Sequence, residues 1–112
     1  MEKIRLPNQL LYVAIEEMNQ GLIDADLGDG LVKKRIAFAG KGKRNSIRVL
    51  VATNKKNCWV FLTGYKKNEK DNITKEEQLL LRELSLDYLS LSNEQLNYAV
   101  QQGELKEIFY EN

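Results

Sequence analysis

The 112-residue chain predicts an α+β domain: an N-terminal helix, a small antiparallel sheet made as a three-stranded meander, and two C-terminal helices. Three observations carry this. Leu11, Ala14, Ile15 and Met18 recur at i, i+3, i+4 and i+7, which is one apolar helical face. Three runs between residues 31 and 65 have strand composition and are joined by short polar connections. Two capping-box sequences, Thr74 with Glu77 and Ser92 with Gln95, open the last third of the chain.

The first helix is expected over residues 7–20. Pro7 suits its first position, and Gly21 suits the left-handed residue that follows the last turn. Residues 21–30 (GLIDADLGDG) read as a turn-rich connection, with Asp24, Asp26 and Asp29 bonding their own backbone as turn formers. The first strand covers 31–39. Val32, Ile36 and Phe38 share its buried face and Lys33, Arg35 and Ala37 point the other way. Lys34 interrupts the inward face, as a bend or a snorkelling side chain. The second strand, 46–53, puts Ile47, Val49 and Val51 on one side and Arg48 and Leu50 on the other. After a polar hairpin at 54–57, a third strand covers 58–65. Its apolar residues fall on both faces, which predicts a central strand covered on both sides. Leu80, Leu84 and Tyr88, with Leu81 and Leu91, form the stripe of the next helix, and the last short helix ends near Gly103.

These elements make one domain, 1–112, of a size that a single core supports. No apolar run approaches the roughly 20 residues of a membrane helix, and the first residues lack a secretory signal, so a cytoplasmic protein without a membrane partner is expected. Cys58 has no second cysteine to pair with, and with no histidine the chain offers neither a zinc site nor a Ser-His-Asp or Cys-His catalytic pair. No metal and no cofactor are expected.

The net charge of +1 conceals a strong asymmetry. Residues 33–70 carry twelve Lys/Arg against one acid, Glu69, a net of +11, whereas the remaining 74 residues are at −10. Solvated edge-strand lysines account for part of such an excess. A basic middle between acidic ends otherwise points to a polyanion, above all nucleic acid. The loop at 40–43 matches no nucleotide-triphosphate motif, but Lys41, Lys43 and Arg44 suit contacts to backbone phosphates. An enzyme built from Lys, Arg, Tyr and Glu69 suits RNA cleavage, because the 2′-hydroxyl is a built-in nucleophile and cations stabilise the crowded phosphate. A plain RNA-binding module needs aromatics interleaved with the basic strand residues, and here most aromatics read as core.

The stretch GLIDADLGDGLVKKRIA at 21–37 resembles a subgroup of the RelE/ParE-type toxins of bacterial toxin–antitoxin modules, the RelE-like or HigB-like toxins. The basic loop at 40–43, the strand with Arg48, FLTGYKKNEKDNI at 61–73, the Leu/Glu helix and Gly103-Glu104-Leu105 agree in order and spacing. The resemblance implies a RelE-like fold lacking the family's first strand, with a concave basic face for mRNA, often on the ribosome. It implies metal-independent transfer of the phosphate to the 2′-oxygen, and an antitoxin partner of helix-turn-helix type. Its catalytic basic positions fall on Lys33, Arg35, Arg48 and Lys67. Tyr65 is the expected base-stacking residue, and Lys66 and Lys70 are further RNA contacts; Glu69 is the reserve acid/base. The alternative is a toxin-fold protein that binds its antitoxin, gyrase or RNA without cleaving.

Overall fold

The computed structural model describes residues 8–36, 47–55, 58–66 and 72–103. In chain order they form α1 (Asn8–Asn19), β1 (Ala25–Gly28), β2 (Leu31–Ile36), β3 (Ile47–Thr53), β4 (Trp59–Lys66), α2 (Lys75–Leu89) and α3 (Asn93–Gln101). The strands make one antiparallel sheet in the order β1-β2-β3-β4. The architecture is the expected α+β arrangement, with one strand more than the three-stranded meander.

The extra strand is β1, inside the segment read as a turn-rich connection. Asp and Gly are poor strand formers, so composition hid it. Its partner makes it a strand: Asp29 and Gly30 both take positive φ, 56° and 81°, the two-residue hairpin geometry that Asp-Gly favours. This turn places Gly28 opposite Leu31 and Ala25 opposite Lys33. Asp26 does act as a turn former, accepting from the Gly28 N–H at 3.0 Å. Lys55 also donates to it at 2.7 Å, and these two bonds hold its carboxyl below the usual range.

Among the described residues β4 is not central but lies at the end of the strand order, and β3 is the buried interior strand. β4 still touches apolar groups on both faces, which is what its composition reflected. Trp59 and Phe61 pack on one core, and Leu62 and Tyr65 on the other. An irregularity in register between Leu50 and Val51 brings Leu62 to the second core.

The two cores lie on opposite faces of the sheet. On the first, Ala14, Ile15 and Met18 of α1 meet Val32, Ile36, Ile47, Val49 and Val51. Burying each large aliphatic there is worth about 1.5–3 kcal/mol. Lys34 shares this face and is almost wholly covered. It does not bend the strand; its ammonium pairs with Glu17 of α1 at 3.4 Å, and the two side chains are 8% and 43% exposed.

On the second face, Leu31, Leu50 and Tyr65 pack with Leu27, Leu62, Ile73 and Leu81. α2 opens on the expected capping box, with Thr74 accepting from Glu77 N–H at 3.1 Å and Glu77 accepting from Thr74 N–H at 2.9 Å. α3 repeats the device with Ser92 and Gln95. The inward stripe of α2 differs from the expected one. Leu81 and Ser85 face the sheet, whereas Leu80 is 66% exposed and Leu84 39%. Leucines are spread around this helix, so apolar periodicity alone left its rotation open. Polar contacts decide it: Ser85 donates to the Asp29 carbonyl at 3.0 Å, and Arg82 donates through Nε to the Asp29 carboxylate at 3.0 Å. Gly30 permits this approach, since a Cβ there would collide with Leu89 and crowd the Thr53 carbonyl.

Two stability results are expected. Glu17→Ala leaves the covered ammonium of Lys34 without its carboxylate. Loss of a buried partner costs several kcal/mol, reduced here to about 1–3 kcal/mol because Glu17 is half exposed, while Lys34→Met is neutral or stabilising. Gly30→Ala combines a positive φ with the Leu89 collision and should cost about 2 kcal/mol or more. Urea titrations of the variants check both; an unchanged midpoint in Glu17→Ala or Gly30→Ala refutes the corresponding account.

Candidate functional site

The β2–β3–β4 register builds a row of side chains. Arg35 lies directly opposite Arg48, and Arg48 directly opposite Tyr65. Direct partners in an antiparallel sheet project to the same face. The next row on that face is Lys33, Leu50 and Thr63. Arg35, Arg48, Tyr65 and Lys33 therefore share the face opposite α1.

Sequence dictates this convergence through alternation. Val32 and Ile36 must go to α1, so Lys33 and Arg35 cannot. Ile47, Val49 and Val51 do the same for Arg48. Two adjacent strands thus aim their cations to one side.

Among the described residues Arg48 is more enclosed than the ion-paired Lys55 and Arg82 and less so than Lys34. Its side chain is 13% exposed, and its Nε lies 3.5 Å from Oδ2 of Asp24. Asp24 precedes β1, and its N–H donates to the Lys33 carbonyl at 2.9 Å. Asp24 is therefore more than a turn former: its carboxylate belongs to the basic row. Turn composition hid this role, because the reach from Asp24 to Arg48 depends on the β1–β2 pairing.

Tyr65 is 9% exposed, with its ring in the second core. Burial pushes its phenol up; the Arg48 charge opposes that and the Asp24 charge adds to it, so all three groups share one microenvironment. Its hydroxyl lies 3.5 Å from the Asn72 side-chain oxygen, a long contact. Packed this way, the ring offers little face for a stacked base.

Lys66 ends β4 opposite Ile47, which the register assigns to the α1 face, not to the Arg48 row. Lys67, Lys41, Lys43, Arg44, Lys70 and Glu69 lie outside the described residues. Burial raises the Cys58 thiol, which makes it a poor nucleophile. Among the described residues no group of His, Cys, Asp and Glu could hold a metal ion, and no helix is long and apolar enough to cross a membrane.

The row can bind a phosphate. Two guanidiniums side by side supply planar donor forks of the kind that match phosphate oxygens. A phenol beside them adds a donor whose proton is held tightly.

A family model described as the RelE toxin of the RelE/RelB toxin–antitoxin system matches residues 1–108 of the chain. Neither a curated protein nor a solved structure matches it.

Proposed function

The chain belongs to the RelE toxin family, and from that premise we propose that it is a metal-independent endoribonuclease that cuts mRNA, on the ribosome or free, and so inhibits translation in the cytoplasm. The observation that carries this reading is the Arg35–Arg48–Tyr65 row on the sheet face opposite α1, beside the core that α2 covers. The family pairs its toxins with an antitoxin, and an antitoxin of helix-turn-helix type covering this face is part of the proposal.

In the proposed reaction the ribose 2′-hydroxyl gives up its proton and attacks the adjacent phosphorus, the bond to the 5′-oxygen breaks, that oxygen takes a proton from water, and a 2′,3′-cyclic phosphate and a 5′-hydroxyl result. Arg48, with Lys67, stabilises the charge that builds on the phosphate oxygens. Arg35 and Lys33 position the phosphate. Lys33 rather than Arg35 is proposed to take the 2′-hydroxyl proton, a role that requires its amine to be neutral when RNA is bound, whereas a guanidinium stays charged. Lys41, Lys43, Arg44 and Lys70 hold the flanking strand, Lys66 falls outside this set because it projects to the α1 face, and Glu69 is the reserve proton carrier. The absence of histidine from the chain supports a route that rests on Lys, Arg and Tyr.

Induced in bacteria, the chain should arrest growth and leave new mRNA ends bearing 2′,3′-cyclic or 3′-phosphate, and purified activity should survive EDTA. Arg48→Ala should lower the cleavage rate by ~10²–10³ while the circular dichroism spectrum is kept. Ends bearing 3′-hydroxyls, or full toxicity of Arg48→Ala, contradict the mechanism. Binding without any cleavage favours the non-catalytic toxin-fold alternative.

RNA affinity should fall steeply with salt, because each phosphate contact releases counterions. Arg35→Ala should flatten the log–log salt slope by about 0.7, one single-strand phosphate contact. An unchanged slope removes Arg35 from the interface.

A further inference from the structure

We propose that Asp24 is a built-in counter-ion of the basic row, and that a phosphodiester of the RNA strand takes its place on Arg48. The inference rests on the reading that this row binds RNA.

The Arg48 guanidinium is largely enclosed and stands directly opposite Arg35. Like charges at directly opposed positions repel, and an enclosed charge without a partner is costly. Asp24 brings a carboxylate to it from a segment 24 residues away in sequence.

The contact is of a kind that exchanges. Charge-assisted hydrogen bonds run to about 2.7–2.9 Å. Lys55 with Asp26 and Arg82 with Asp29 reach 2.7 and 2.8 Å, but Asp24 stands 3.5 Å from Arg48. The exposures are unequal as well, with Asp24 at 32% and Arg48 at 13%. The carboxylate can turn into water cheaply, whereas the guanidinium stays where the sheet fixes it. A phosphate oxygen pair then satisfies Arg48, and its charge also reaches Arg35.

Asp24 differs in this from the neighbouring aspartates. Asp26 accepts from the Gly28 N–H and from Lys55, and Asp29 anchors Arg82. Those bonds build the hairpin and dock α2. The Asp24 pair stands at the row that would meet the strand, so it sets a threshold: an anion that is to reach Arg48 must displace a carboxylate from it.

The test uses a 2′-O-methyl RNA oligonucleotide, which cannot be cleaved by 2′-oxygen attack, and inorganic phosphate, both at constant ionic strength. Asp24→Asn should bind the oligonucleotide about tenfold more tightly than wild type. Phosphate should raise the Tm of Asp24→Asn by more than that of wild type. Asp24→Glu keeps the charge and should stay near wild type. Glu94→Gln removes one charge on α3 and should change neither reading. Equal or weaker binding by Asp24→Asn overturns the proposal, as does an equal gain in Glu94→Gln. If Asp24→Asn does not fold even with phosphate, Asp24→Asn/Arg48→Gln decides. That double variant folds if the missing counter-charge was the fault, and its failure to fold overturns the proposal. Tighter binding by Asp24→Asn together with uncut natural mRNA in wild type leaves this inference standing and removes the nuclease reading.

Discussion

The register of β2 on β3 governs the rest of the molecule. A slip of β2 by one residue against β3 would turn Val32 and Ile36 to the basic face and push Lys33 and Arg35 under α1, away from Arg48. Burial of those aliphatics, at about 1.5–3 kcal/mol each, far exceeds the roughly 1 kcal/mol scale of a cross-strand like-charge pair. The hydrophobic core under α1 therefore holds Arg35 against Arg48, although the two repel. The basic row follows from how the opposite face is packed.

Much of this was legible along the chain. Alternation in 31–36 and 47–53 separated the core residues from the cations, and short-range rules found both capping boxes and the end of α1 near Gly21. Such signals are local and so survive in one dimension. The misreadings were non-local. β1 exists because β2 pairs with it, β4 lies at the edge because of strand order, and the rotation of α2 depends on Asp29, more than fifty residues earlier.

The site divides in the same way. The excess of cations and the shared face of Lys33, Arg35 and Arg48 were readable, because twelve cations in 38 residues and a period of two are sequence properties. The Asp24 carboxylate beside Arg48 and the burial of Tyr65 were not. An aspartate among glycines looks like a turn former whether or not its side chain also crosses to another strand. A tyrosine at the end of a strand looks the same whether its ring is open or packed.

Strand order here equals chain order, and that bears on how the protein folds. Each strand pairs with its successor across a short connection, so most sheet contacts close small loops at low entropic cost. The Asp-Gly hairpin can zip locally, and β3 and β4 can add to it in turn. Docking α2 through Arg82 and Ser85 joins residues more than fifty apart in sequence, so it gains most once the sheet has already brought Asp29 close to the end of β4. The face that carries Arg35 and Arg48 is set out by the sheet before the helix that borders it arrives.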